Sequence, residues 1–362
     1  MDFKLPSSKA FAFFSIGSLL ALVTQIVYFS PISSPEILQL PPPSTIPSNS
    51  LLQGVKKLGE GFLKKPEDVT VDENTGILYT STRDGWVKRL HRNGSLEDWK
   101  WVGSETMLGL SMSADGGVIV CDSQQGLLKV NDESITNIAS HVNGTKISFA
   151  DDVIEASDGS LYFSVGSTKF QLHNWYLDVL EAKPHGQLLK YDPLLNETTI
   201  LLNDLGFANG VALSQDEQYL VICESWKFRC LKYWLKGQNT GRTEIFINLP
   251  RAPDNINLAP DGSFWIALLE VSPSSLNFIH KWRVAKHLIA SFPNLIEVVN
   301  GVHSKAMVMK VAPDGRILRT LDDPEGKVMS FVTSAVEYEG NLYLGSLKCD
   351  FIGKLQLEAV HS

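Results

Sequence analysis

A short apolar strand, a turn carrying Gly or Asp, and a second apolar strand recur six times along this chain. The units begin at Glu67, Leu108, Asp151, Asn209, Asp254 and Thr333. The third is typical: Asp151-Asp152-Val153 leads to the turn Asp158-Gly159 and on to Leu161-Tyr162-Phe163. Successive starts lie 41, 43, 58, 45 and 79 residues apart. Two to four short strands in roughly forty residues is the period of a propeller blade. The repeat therefore predicts an all-β fold, a six-bladed β-propeller over residues 55–358. A β-sandwich would not need one turn repeated at this period.

The two long intervals carry helical patterning. Phe170–Ala182 and Asn277–Phe292 place apolar residues at helical spacing inside units three and five. Two short helical insertions are thus expected to cap one face of the propeller. Their Trp175, Tyr176, Phe278, Trp282 and Leu288 suit packing, and facing a channel mouth they would also shape an apolar pocket or touch a membrane.

Ahead of the repeat, no charged residue lies between Lys9 and Glu36, and residues 10–29 are almost wholly apolar. Twenty helical residues reach about 30 Å, the thickness of a bilayer core. Residues 1–30 read as a cleaved signal peptide or an uncleaved signal-anchor. The anchor is favoured, because no clear small-x-small cleavage site follows. Residues 31–54 are rich in Pro and Ser and read as a linker. Either form of the leader sends the body into the secretory pathway, to the vacuole or the endoplasmic reticulum lumen, with membrane contact through residues 10–29. Three sequons, at Asn93, Asn143 and Asn196, agree with a glycosylated luminal body.

Charge and cysteine content narrow the chemistry. The net charge is −8. Asp2, Lys4, Lys9 and Glu36 cancel within residues 1–50, so the repeat body carries all of it. No basic stripe appears, which argues against nucleic acid as a partner and leaves a small-molecule substrate. Cys121, Cys223, Cys230 and Cys349 match no zinc spacing. An oxidising lumen permits a bond between Cys223 and Cys230 across one hairpin. The strand register is open, however, and buried free thiols are the favoured expectation.

The first strand of a propeller blade lines the central channel, so the first residue of each unit converges on one rim. Four of the six, Glu67, Asp151, Asn209 and Asp254, are carboxylates or a carboxamide. Crowded carboxylates repel and lose hydration unless a cation compensates. Ca²⁺, which takes six to eight oxygen ligands, suits this set, whereas Zn²⁺ would ask for His or Cys. Asp68, Asp152 and Asn255 stand next in sequence, as outer partners of these ligands or as part of a deeper structural metal site. Without metal, the same side chains would bond to backbone in the channel.

The motifs Pro66-Glu67-Asp68, Phe149-Ala150-Asp151-Asp152-Val153, Ala208-Asn209-Gly210-Val211 and Pro253-Asp254-Asn255-Ile256 resemble those of the strictosidine synthase-like proteins. Gly186–Pro193 and Lys232–Gly237 add to the match, which covers roughly residues 55–357. That plant family, with its adipocyte plasma membrane-associated branch, shares the six-bladed propeller with paraoxonase, diisopropylfluorophosphatase and senescence marker protein. The resemblance implies a catalytic calcium held by Glu67, Asn209 and Asp254. Asp151 stands where the hydrolases usually carry Asn. Leu108 replaces the paraoxonase His. The blade-six Glu thought to serve strictosidine synthase as base is replaced by Thr333, or by Ser330 if the alignment slips. Neither hydroxyl serves as a base near neutral pH.

The expected activity is Ca²⁺-dependent hydrolysis of a small ester, lactone or phosphotriester. Asp254 would be nucleophile or base by that resemblance, or a ligand only. His173, His280, His287 and His303 lie in or beside the inserted segments, and none is assigned a role. The alternatives are a non-catalytic propeller scaffold and, less favoured, an enzyme condensing an amine with an aldehyde.

Overall fold

The computed structural model describes residues 8–38, 46–270, 279, 281–292, 294–295 and 305–357. Six four-stranded antiparallel sheets are present, together with a two-stranded hairpin at His141–Val142 and Thr145–Lys146. The innermost strands of the blades are Val69–Asp72, Met107–Met112, Ala150–Glu155, Ala208–Leu213, Ala252–Leu258 and Val332–Tyr338. Every unit start named above lies within an inner strand or, for Glu67, two residues before it. The expected fold is the observed one.

Blade six is assembled from both ends of the chain. Its inner three strands are Val332–Tyr338, Asn341–Ser346 and Ile352–Gln356, and its outer strand is Lys56–Leu58. Lys57 stands opposite Gly353 in that pairing. The ring is thereby closed by backbone hydrogen bonds that hold both ends of the propeller in one sheet.

Inside the blades a cation often faces an aromatic ring across the middle strand pair. Tyr79 stands opposite Arg89, Tyr162 opposite Lys190, Trp265 opposite Lys310 and Tyr343 opposite Lys354. The Arg89 guanidinium lies 4.0 Å from the Trp99 ring centroid, and the Lys310 ammonium 5.5 Å from that of Trp265. The stems of these side chains cover apolar surface while their charges meet rings and acids.

The insertions of blades three and five both leave after the second strand, so both stand over the rim end of the axis. The first forms a 3₁₀ turn, Leu172–Asn174, and the helix α2, Trp175–Glu181. The helix α3 spans Arg283–Ser291 in the second. Phe278, His280 and His303 lie outside the described residues. The apolar leader forms the helix α1, Ser8–Tyr28, which packs against α3. Among the described residues, no helix is long and apolar enough to cross a membrane.

The Pro/Ser-rich segment after α1 is packed onto the body rather than free. Ile32 and Leu38 are buried, and Ile32 joins Phe170, Leu177, Leu180, Ile279 and Ile289 in one cluster. Ser33 donates to Glu181 Oε1 through its N–H at 3.0 Å and its hydroxyl at 2.8 Å. The Glu36 N–H donates to the Glu181 carbonyl at 2.9 Å. Further on, Asn49 and Ser50 donate their N–H groups to Asp322 Oδ1, and Leu52 is fully buried.

The cysteine expectation is corrected. Cys223 and Cys230 are disulfide-bonded, while Cys121 and Cys349 are free and buried. The hairpin register decides this: Cys223 and Cys230 are direct cross-strand partners with Cα atoms 4.0 Å apart. Sequence spacing alone does not show that register.

Candidate functional site

Two backbone devices deliver the rim residues. The residue two positions before the rim has a left-handed φ in four blades: 51° at Lys65, 60° at Phe149, 62° at Phe207 and 50° at Phe331. Such a conformation costs a side-chain-bearing residue of order 1 kcal/mol or more and concentrates at functional sites. Next, the ladder slips where five of the six inner strands begin, between Met107 and Leu110, Ala150 and Val153, Ala208 and Val211, Pro253 and Ile256, and Val332 and Ser334. In blade one the ladder is unbroken, and the pair Glu67-Asp68 lies just ahead of the strand. A bulge re-aims side chains. In the slipped blades it turns two consecutive residues inward, and with the pair that precedes the blade-one strand Glu67, Asp68, Asp151, Asp152, Asn209, Asp254 and Asn255 are all buried.

The second residue of each pair ties neighbouring blades together. Asp68 of blade one accepts the Val69 N–H at 2.8 Å and the Leu110 N–H of blade two at 2.9 Å. Asp152 of blade three accepts the Val153 N–H and the Val211 N–H of blade four, each at 2.8 Å. The receiving blades carry glycine at the equivalent position. A Cβ on Gly109 would stand 2.6 Å from Asp152 Oδ1, and one on Gly210 would stand 2.5 Å from the Asp254 carbonyl. Blade five breaks the pattern, because Asn255 Nδ2 donates across the axis to Glu67 Oε1 at 3.2 Å. Thr333, where a blade-six base would stand, donates its hydroxyl to the Glu67 carbonyl.

Not every oxygen of these pairs is satisfied. Glu67 Oε2 and Asn209 Oδ1, from first positions, and Asn255 Oδ1, from a second, are buried without a hydrogen-bond donor. Burial drives Glu67 well above the usual carboxylate range, with Asp254, Asp68 and Asp151 adding to the push and Arg83 opposing it. Burial also raises Asp151 well above that range, and Asp254 adds to it. Asp254 is pushed up to about 7 by burial, against a hydrogen bond from Asn209. Asp68 reaches about 6 for the same reason, held back by its backbone donors.

Arg83 is the one cation that sequence reasoning missed here. It sits between the middle strands of blade one, and no repeat position marks it. Its N–H donates to the Lys64 carbonyl at 2.7 Å and its Nη1 to the Glu105 carbonyl at 2.9 Å. From there its charge lowers Glu67 and Asp151.

The donor chemistry fits a hard cation: three carboxylates, a carboxamide, and orphaned oxygens in a buried ring. Among the described residues, no three His, Cys, Asp or Glu side chains stand close enough together to hold one ion. The carboxamide of Asn209 lies outside that count of residue types. Of the histidines, His173 is exposed, and His287 is buried on α3 facing Glu181.

Residues 151–238 match the strictosidine synthase family, and residues 47–90 match the strictosidine synthase-like N-terminal family. Protein STRICTOSIDINE SYNTHASE-LIKE 4 of Arabidopsis thaliana is 34% identical over 97% of this chain and 96% of its own length. The adipocyte plasma membrane-associated protein of Mus musculus is 32% identical over 86% of this chain and 80% of its own. Among solved structures, a gluconolactonase of Xanthomonas campestris superposes with a TM-score of 0.61 at 13% identity, covering 91% of this chain and 99% of that one. The calcium-binding protein regucalcin of Agrobacterium tumefaciens gives 0.55 at 13% identity, covering 83% and 91%. At that identity the structural likeness is one of fold.

Proposed function

The chain belongs to the strictosidine synthase-like family, and from that premise we propose that it is a calcium-dependent hydrolase of small esters, lactones or phosphotriesters. One observation carries the proposal: a buried ring of acids at the axis leaves Glu67 Oε2 and Asn209 Oδ1 without donors. Buried charge of one sign is costly unless it is neutralised. Glu67, Asp151, Asn209 and Asp254 would hold the ion. When bound, Ca²⁺ polarises a carbonyl or phosphoryl oxygen and acidifies water.

The chain's own residues supply the rest. Asn209 orients the Asp254 carboxylate by a hydrogen bond. Asp254 is the group to accept a proton from attacking water, or to attack itself. Arg83 adds positive charge beside the rim, where a developing anion would gain from it. The α2 and α3 roof limits water at that end of the axis.

The disulfide and the exposed sequon residues Asn93, Asn143 and Asn196 support a glycosylated secretory-pathway protein. Its address would be the endoplasmic reticulum or vacuolar lumen, at a membrane met by residues 10–29.

The test is calcium titration of the full chain by calorimetry and thermal unfolding, alongside turnover of aryl ester, lactone and phosphotriester panels with and without EGTA. Calcium should raise the melting temperature of the wild type but not of Glu67→Gln, and EGTA should abolish turnover. Stability and turnover both indifferent to calcium would overturn the proposal. They would instead favour a propeller scaffold, a second reading supported by the separation of the acids. Amine–aldehyde condensation is disfavoured, because the Thr333 hydroxyl is engaged with the Glu67 carbonyl.

A further inference from the structure

The helix α3 is apolar on both faces. It buries Ile289 and Ala290 together with Lys286, which is 0% exposed, and His287, while Val284, Leu288 and Phe292 stand 46%, 38% and 52% exposed. Those three residues are four apart, so they form one stripe on the outer face. Trp282, 62% exposed, continues the stripe at the N-terminal end. A helix whose outer face met only water would carry polar residues there, and it would not bury a lysine, which costs far more buried than exposed. Lys286 is tolerated because its ammonium donates to the Glu36 carbonyl on the strap behind it.

Three further observations name what covers the stripe. First, α1 packs directly on α3 and exposes Phe13, Leu19, Leu20, Tyr28 and Phe29, so the two apolar faces adjoin. Second, Lys281 and Arg283 are exposed beside Trp282, and the segment 281–292 contains no acid. This is a cationic margin on a chain of net charge −8. Third, the strap that joins α1 to the roof is fixed by Ser33 and Glu36 on Glu181. The two helices are therefore presented as one unit rather than joined by a free tether.

We propose that the outer face of α3 lies in the headgroup region of an anionic bilayer, beside α1, and sets the rim end of the propeller axis against the membrane. Apolar side chains enter the acyl boundary, Trp282 sits at the interface, and Lys281 and Arg283 meet lipid phosphates. Contact of this kind lies along the surface and requires no helix to cross. The inference rests on residues 10–29 meeting a membrane, and the experiment separates the two.

The full chain is prepared with Leu288→Cys carrying an environment-sensitive fluorophore. The native free thiols are buried, which favours labelling at the new position. A control carries the same dye at Leu194→Cys, a position 91% exposed in the outer turn of blade three. Each is mixed with vesicles of phosphatidylcholine alone or with 30% phosphatidylserine. Flotation reports the membrane association of the chain, and quenching by shallow brominated lipid reports the probe. The expected result is flotation of both proteins, with at least twofold stronger quenching at residue 288 than at 194. Lys281→Glu with Arg283→Glu should halve the quenching at 288 on the anionic vesicles. Flotation with equal quenching at the two positions would overturn the proposal alone. Failure to float would overturn it together with the membrane role of residues 10–29. A residue-288 signal that grows with protein concentration at fixed lipid would assign the stripe to a second copy of the chain, and that also overturns it.

Discussion

Replacing Asp254 by Asn should stabilise the calcium-free protein. Burial pushes Asp254 from 3.8 up to about 7, a rise of about three pKa units. Each unit is worth about 1.4 kcal/mol between protonation states, so ionising this carboxyl in the folded protein costs on the order of 4 kcal/mol. The sign follows from the raised folded value. Below about pH 4 both folded and unfolded states hold the proton, and nothing is lost. As pH rises from 4 to 7 the unfolded chain releases its proton first, and stability falls until the folded group ionises too. The introduced carboxamide would keep an acceptor for Asn209 and carry no charge. In EGTA at pH 8, Asp254→Asn should therefore unfold later than wild type. The gain is bounded near 4 kcal/mol, or about 6 °C for a domain of about 300 residues at about 2.1 cal/mol/K each. At pH 5 the gap should shrink to less than half, and saturating calcium at pH 8 should reverse the order. The assay is urea and thermal unfolding at the two pH values. A variant no more stable than wild type at pH 8 in EGTA would refute the claim that the rim acids are strained by burial.

Other consequences are open to direct measurement. Gly210→Ala should cost about 3 kcal/mol or more in urea unfolding, because its Cβ would meet the Asp254 carbonyl and the Ile256 N–H at 2.5 Å. Gly54→Ala is the control, since only Leu355 Cδ1 lies near, at 3.6 Å. Its change should stay within about 0.5 kcal/mol. Cys223→Ser with Cys230→Ser opens a loop with a sequence separation of 7 and should cost about 2.5 kcal/mol by loop entropy. Peptide mapping without reductant should show that link and two free thiols. Glu181→Ala removes the acceptor of Ser33, Lys169 and His185. Hydrogen exchange across Ile32–Glu36 should then quicken at least tenfold, about 1.4 kcal/mol of lost local protection.

The rim was legible because the repeat itself aligned it. Turns carrying Gly or Asp, six or seven residues after each unit start, marked where each inner strand begins, and so brought Glu67, Asp151, Asn209 and Asp254 together without any knowledge of distances. What the repeat could not reveal is geometry of smaller grain. The bulge that turns both Asp151 and Asp152 inward leaves no mark in composition. Nothing in the sequence singles out the glycines at 109 and 210, which the approach of the next blade explains. Arg83 belongs to a turn outside the repeating positions. The Cys223–Cys230 bond depended on a register that neighbouring residues do not determine. The outer strand of blade six lay beside a segment that composition marked as a linker, and three residues, Lys56–Leu58, are too few to announce a strand.

That same closure constrains how the protein can be made. Lys56–Leu58 is among the first parts of the body to leave the ribosome, yet its partner Ile352–Gln356 is among the last. Throughout translation the early strand has no mate, and the open arc of blades exposes one apolar sheet face at each end with nothing to cover it. The ring can snap shut only after Ile352–Gln356 has been released. Stop codons that remove Ile352–Gln356 should thus be disproportionately harmful. They would leave five complete blades and a stranded edge for chaperones to guard, rather than a protein slightly shorter than normal.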